Sequence, residues 1–107
     1  MGKKKVNFAV IGGGHGGQGL AAYLSHLGHN VNLYNRTITK IEEISQQGFI
    51  EMEGSISGKG YMNLVTDNIE KAIKGTHIIM VAVPANAHKH IARLIAPYVT
   101  EDQYIVL

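Results

Sequence analysis

Short apolar runs alternate with helical stripes along the chain. Val6-Asn7-Phe8-Ala9-Val10-Ile11 is almost continuously apolar and ends in glycines. This is the pattern of a strand in a parallel sheet, covered on both faces. Leu20, Leu24 and Leu27 follow at spacings of four and three and predict a helix that stops at Gly28. Val31-Asn32-Leu33-Tyr34 predicts a second strand. Thr39, with Glu42 three residues later, is a capping-box signature for a helix carrying Ile41 and Ile44 and ending at Gly48.

The pattern then changes. Phe49 to Glu53 and Tyr61 to Leu64 read as strands, with Gly54, Ser55, Ser57, Gly58 and Gly60 between them. A hairpin spanning about residues 49–64, inserted in the alternation, fits this stretch best, with a loose linker as the alternative. Asp67 and Glu70 mark another helix start, and Gly75 its stop. His77 to Val83 is the strongest strand pattern, ended by Pro84. Ala87, Ile91, Leu94, Ile95 and Tyr98 then form a helical stripe, which Pro97 must terminate. Gln103 to Leu107 reads as a last strand. Strands alternating with helices predict an α/β, Rossmann-type open parallel sheet with helices on both faces and right-handed crossovers. The whole of residues 1–107 reads as one domain, cut at its last visible strand.

Composition narrows the function. A chain of 107 residues with 45% hydrophobic and 17% charged residues suits one packed domain and not a disordered segment. A net charge of +2 is no signature of nucleic-acid binding. The absence of cysteine removes disulfides, cysteine zinc sites and thiol nucleophiles. The apolar run after Lys3-Lys4-Lys5 is too short for a signal peptide, and Val6 breaks the myristoylation pattern begun by Gly2. No membrane or nucleic-acid partner is expected, and the expected compartment is the cytoplasm.

Five of the 13 glycines fall within Gly12-Gly13-Gly14-His15-Gly16-Gly17. The segment matches G-x-G-x-x-G, follows a strand, opens a helix and precedes a second strand, which is the context of a dinucleotide fingerprint. Gly12 permits the tight turn, Gly14 lets a pyrophosphate approach the backbone, and Gly17 lets the helix pack closely on the strand. The free N–H groups of His15, Gly16 and Gly17 and the helix dipole favour an anion there. A plain turn needs only one or two glycines.

The end of the second strand bears on which dinucleotide binds. NAD sites usually carry Asp or Glu there, and this chain carries Asn35-Arg36. Arg36 suits a 2′-phosphate, with Thr37 and Lys40 adding a hydroxyl and a second charge. The expected cofactor is NADP, with NAD as the alternative. Val83-Pro84-Ala85 should border the cofactor at the carboxyl end of the strongest strand. Asn86 is equally a helix cap and a ligand contact. His88 and His90 are two apart and make no i, i+4 metal pair, so no metal site is expected. His88 is the better functional candidate of the two. His26, His29 and His77 read as structural, and Glu51 and Glu53 as surface charge. No catalytic residue can be assigned.

The segments Val10 to Gln18, Ala21-Ala22-Tyr23-Leu24, Gly28-His29, Gln47 to Glu51, and Val83-Pro84-Ala85 with His88 carry a resemblance. They resemble the N-terminal cofactor domain of the octopine/nopaline, or opine, dehydrogenases. The local motifs are also similar to those of glycerol-3-phosphate dehydrogenase and ketopantoate reductase. The likeness runs from Val6 to Leu107. His15 stands where the family usually has Asn, and Asn35-Arg36 resembles its NADP-preferring members. The resemblance implies hydride transfer from a nicotinamide cofactor in the reductive condensation of an amino acid with a 2-oxo acid. It places the catalytic His–Asp pair and most of the substrate site in a second, helical domain, which nothing in these residues matches. It also implies an Asn-Pro-Gly segment after the last strand, which this chain lacks.

Two functions follow. One is the dinucleotide-binding part of an oxidoreductase, inactive as these 107 residues alone. The other is a nucleotide-sensing or assembly module without catalysis. The apolar ending Tyr104-Ile105-Val106-Leu107 favours the first and hints at a homo-oligomer.

Overall fold

The computed structural model describes residues 4–52 and 58–107. Its elements run β1 (Asn7–Ile11), α1 (His15–His26), β2 (Asn30–Tyr34), a 3-10 turn (Ile38–Ile41), α2 (Glu42–Gln47), β3 (Phe49–Met52) and β4 (Gly58–Tyr61). They continue with β5 (Leu64–Thr66), α3 (Ile69–Ile73), β6 (Ile78–Val81), a 3-10 turn (Ala85–Ala87), α4 (His88–Ile95) and β7 (Tyr104–Val106). Five strands form one sheet in the order β5-β2-β1-β6-β7, and every pairing in it is parallel. This is the expected Rossmann-type α/β sheet. The strand order reverses at β1, and the space above its carboxyl end is where such sheets hold ligands.

The central strands are buried on both sides, which is why their sequences are continuously apolar. Phe8, Val10, Val31 and Leu33 pack with Ala21, Ala22, Ile41 and Ile44 on one face. Ala9, Ile11, Ile79 and Val81 pack with Ala72, Ile73, Ile91 and Ile95 on the other. Each such isoleucine, fully buried, contributes about 2–3 kcal/mol. Asn32, on β2, is a polar residue buried with them. Its side chain donates to the Ala72 carbonyl at 2.9 Å and accepts from the Asn63 amide at 2.8 Å. Among the described residues, no helix is long and apolar enough to cross a membrane.

Several local expectations are corrected. The deepest face of α1 is Gly17, Ala21 and Ala22, while Leu20 and Leu24 are half-buried and Leu27 is 40% exposed. Small residues win because the helix must lie close to the sheet beneath its glycine loop. The helix still ends where expected, at a Leu27 cap followed by Gly28 with φ +99°. The Thr39–Glu42 capping box does not form. Thr37 is the cap residue, and the chain enters α2 through a 3-10 turn whose Lys40 N–H bonds the Thr37 carbonyl at 3.2 Å. Asn68, and not Asp67, caps α3, its Oδ1 accepting the Lys71 N–H at 3.0 Å. Asn86 lies inside the 3-10 turn before α4, and Ala87 takes the cap position. The stripe of α4 buries Ile91 and Ile95 as expected. The helix ends at Ile95, before Pro97, so Tyr98 lies beyond it and is exposed.

The inserted hairpin exists, but its second strand comes three residues earlier than expected. β3 and β4 pair antiparallel, Phe49 opposite Tyr61 and Met52 opposite Gly58. Leu64 to Thr66 instead joins the main sheet beside β2. Glu53, Gly54, Ser55 and Ser57 lie outside the described residues. The glycines of this stretch therefore serve packing as well as turning. A Cβ on Gly60 would come within 2.8 Å of the Ala22 Cα and carbonyl oxygen, and Ser25 Oγ donates to the Tyr61 carbonyl at 2.6 Å. The hairpin thus lies directly on α1. Gly60→Ala is expected to destabilise the chain by about 1–3 kcal/mol, the usual effect of overpacking, read as a melting temperature lower by about 5–15 °C.

Candidate functional site

The site grows out of the carboxyl ends of β1, β2 and β6. Ladder-like bonds continue past the strands there: Gly12 N–H to the Tyr34 carbonyl at 2.8 Å, and Ala82 N–H to the Ile11 carbonyl at 2.8 Å. Gly12 turns the chain with φ +127°, a conformation that side chains rarely adopt. A Cβ there would strike the Ala82 carbonyl and lie 3.0 Å from Val83 Cγ1. A Cβ on Gly17 would overlap the Gly12 carbonyl oxygen. These two glycines are thus required by the fold of the loop itself.

Gly14 and Gly16 differ from them. A Cβ on either would meet nothing within 4 Å, so no contact of the folded chain demands glycine at these positions. They leave an open cradle over the first turn of α1. The first bond of that helix runs from Gln18 N–H to the Gly14 carbonyl at 2.8 Å. The N–H groups of His15, Gly16 and Gly17 stand ahead of it, without intrahelical partners. Gly14 supplies no side-chain cap, and no acidic residue lies in the first turn. The positive end of a 12-residue helix is therefore uncompensated. Backbone donors, dipole and open space together fit a pyrophosphate.

Two amides hold the loop in shape. Asn35 Oδ1 accepts the Gly13 N–H at 3.0 Å, while its Nδ2 donates to the Thr37 carbonyl at 2.9 Å. Gln18 Nε2 donates to the Gly13 carbonyl at 2.7 Å. The structure thus shows a positioning job for Asn35, whose amide is engaged by backbone. Sequence reasoning missed Gln18, whose only signal is an amide one turn into the helix.

Arg36 and Thr37 are exposed on the turn that follows β2. Lys40 is also exposed and lines a cleft of about 320 Å³ with Gln18, Glu43, Gln47 and Glu51. Val83 is half-buried against Gly12, and Pro84 and Ala85 are exposed beside it. His88 Nε2 lies 3.1 Å from the Val83 carbonyl oxygen, so the Nε2–H tautomer ties the ring back to the end of β6. His29 and His77 each use Nδ1 to accept a backbone N–H, from Val6 at 3.1 Å and Asn7 at 3.0 Å. A larger cleft, about 410 Å³ and lined by Glu70, Lys74, His77 and Tyr98 among others, opens at the amino end of the sheet, away from these residues.

Tyr34, the last residue of β2, is 5% exposed. Burial pushes its phenol above the ordinary value of 10.0, the Asp67 carboxylate pushes it further, and the Arg36 guanidinium pulls it back. A raised folded-state value means that the unfolded chain loses its proton first. The stability tied to Tyr34 is therefore full below about pH 10 and falls as pH rises through the folded value. Urea titrations above pH 10 should show this loss, and Tyr34→Phe should flatten it.

The family described as the N-terminus of NAD-dependent glycerol-3-phosphate dehydrogenase matches residues 7–107. The chain belongs to this family. It is an NAD(P)-binding, Rossmann-type domain of the dehydrogenase class. An opine dehydrogenase from Arthrobacter sp. (strain 1C) is 39% identical over 101 residues, covering 94% of this chain and 28% of that relative. The chain thus spans less than a third of that relative's length. An octopine dehydrogenase solved with NADH and pyruvate superimposes with a TM-score of 0.81 at 24% identity, covering 94% of this chain and 28% of the other. A yersinopine dehydrogenase solved with NADP+ gives 0.77 at 20% identity, covering 96% and 28%. At these identities the two structures speak to the fold alone.

Proposed function

We propose that this chain holds NADP in preference to NAD and presents it for hydride transfer in an oxidoreductase of the opine dehydrogenase type. The observation that carries the reading is the cradle above α1: Gly14 and Gly16 are open where the fold does not require them to be. The nicotinamide, once bound, supplies the hydride. The chain's own residues do the rest. Gly12, Gly14 and Gly17 shape the loop, and the N–H groups of His15, Gly16 and Gly17 hold the pyrophosphate. Asn35 ties the loop to the end of β2, and Gln18 ties it to the first turn of α1. Arg36 pairs with the 2′-phosphate, and Thr37 and Lys40 flank it with a hydroxyl and a second charge. Val83, Pro84 and Ala85 border the ribose on the nicotinamide side.

The substrates proposed are an amino acid and a 2-oxo acid, as in the opine dehydrogenases that the chain resembles. They would be held by residues outside these 107. The 39% identity to an opine dehydrogenase supports this substrate class. Calorimetric titration of the chain with NAD+, NADP+ and their reduced forms tests the reading. NADP+ should bind more tightly than NAD+, and the chain alone should not oxidise either reduced form in the presence of pyruvate and arginine. Equal binding of the two cofactors would overturn the preference for NADP.

A further inference from the structure

We propose that Asp67 is a specificity-determining residue: its carboxylate, one strand over from Arg36 at the carboxyl end of the sheet, opposes a 2′-phosphate and keeps the site open to NAD as well as NADP. The inference rests on the reading of Arg36 given above and adds a counterweight to it.

The geometry comes from the register of two strands. β2 and β5 run parallel, with Tyr34 opposite Thr66. The pairing continues one step further, Asn35 N–H bonding the Thr66 carbonyl at 3.2 Å. The chain therefore leaves both strands side by side, at the spacing of about 4.8 Å that neighbouring strands keep. Arg36 and Asp67 are the first charged residues after each strand, and both are exposed. Their charges meet on the same group, since both act on the Tyr34 phenol at the end of β2, in opposite directions.

The turn into α3 does not need the Asp67 carboxylate. Thr66 Oγ1 accepts the Asn68 N–H at 3.0 Å, and Asn68 Oδ1 accepts the Lys71 N–H at 3.0 Å. Among the described residues, no hydrogen bond of that turn uses Asp67. Its charge is left to the surface that Arg36 shares. Dinucleotide sites that favour NAD place a carboxylate at the end of the second strand, where it meets the adenosine ribose. Here that position holds Asn35-Arg36, and the carboxylate stands at the end of the adjacent strand instead. A 2′-phosphate, carrying close to two negative charges, would be drawn to Arg36 and repelled by Asp67 well within the screening length of physiological salt. A ribose hydroxyl would feel little of either.

The test is titration of NADP+ and NAD+ onto the wild-type chain, Asp67→Asn and Arg36→Ala, with thermal denaturation of each. Asp67→Asn is expected to tighten NADP+ by about three- to tenfold, the size of a like-charge contact in a mostly aqueous setting, and to change NAD+ less than twofold. Asp67→Ser gives the same comparison if the Asn variant melts early. A ratio of NADP+ to NAD+ affinity unchanged in Asp67→Asn, while Arg36→Ala lowers it, overturns this inference alone. Equal weakening of both cofactors by Asp67→Asn assigns the residue a structural role and overturns it too. A ratio that Arg36→Ala leaves untouched overturns the reading of Arg36 and this inference with it.

Discussion

Gly17→Ala is expected to lower the melting temperature by about 5–20 °C and to abolish dinucleotide binding. The added Cβ would overlap the Gly12 carbonyl oxygen. Neither partner can step aside. Gly12 is held by its N–H to the Tyr34 carbonyl at 2.8 Å, and the space beside its Cα is closed by the Ala82 carbonyl and Val83. The helix would have to lift from the sheet, opening a gap under Ala21 and Ala22. Overpacking of this kind costs about 1–3 kcal/mol, and each kcal/mol is about 4–8 °C in a domain of this size. Gly14→Ala is the control. Its Cβ meets nothing within 4 Å, and its φ of −76° suits any residue. That variant should melt within about 2–3 °C of the wild type, yet bind dinucleotide about 10- to 100-fold more weakly, because the methyl group occupies the cradle. Circular dichroism and calorimetry separate the two. If Gly14→Ala bound as the wild type does, pyrophosphate would not be approaching the loop at that point.

The second large effect is expected at Arg36. Arg36→Asp should weaken NADP+ by about 100-fold and leave NAD+ unchanged or a few-fold tighter. A bidentate pair with a phosphate is among the stronger hydrogen-bonded contacts, worth about 1.5–3 kcal/mol. The new carboxylate would add repulsion beside that of Asp67. Together these amount to roughly two decades of affinity. Arg36 is exposed, so the fold should be untouched and the melting temperature should stay within about 2 °C. Parallel loss of both cofactors would mean that Arg36 shapes the loop and does not choose the ligand.

The strands of the main sheet and the glycine fingerprint were legible because local pattern and tertiary demand agree there. β1 is apolar on both faces since both faces are covered, and Gly12 and Gly17 are glycines because no Cβ fits. Sequence reading failed where one residue serves a partner distant in the chain. Gly58 and Gly60 look like turn residues, but Gly60 is a strand residue made small by Ala22 of α1. That misreading moved β4 by three residues, absorbed Leu64 into the hairpin and hid the end of β5. Asp67 then read as a helix start and not as a charge beside Arg36. Asn35 was legible as a site residue, but its bond to Gly13 depends on a contact across 22 residues that no local pattern encodes.

The position of β1 at the centre of the sheet also sets a schedule. Asn7 meets Asn30 across 23 residues of chain, but its other neighbour, His77, comes only after 70. Emerging from a ribosome, β1 can pair with β2 early and must then wait with one edge bare while the 43 residues between Tyr34 and Ile78 are made. Closing that long loop entropically burdens the last step of folding, which should be slow for a chain of this size. During the wait, the apolar face of Ala9 and Ile11 has no cover, and the species most prone to self-association is this half-sheet rather than the finished domain.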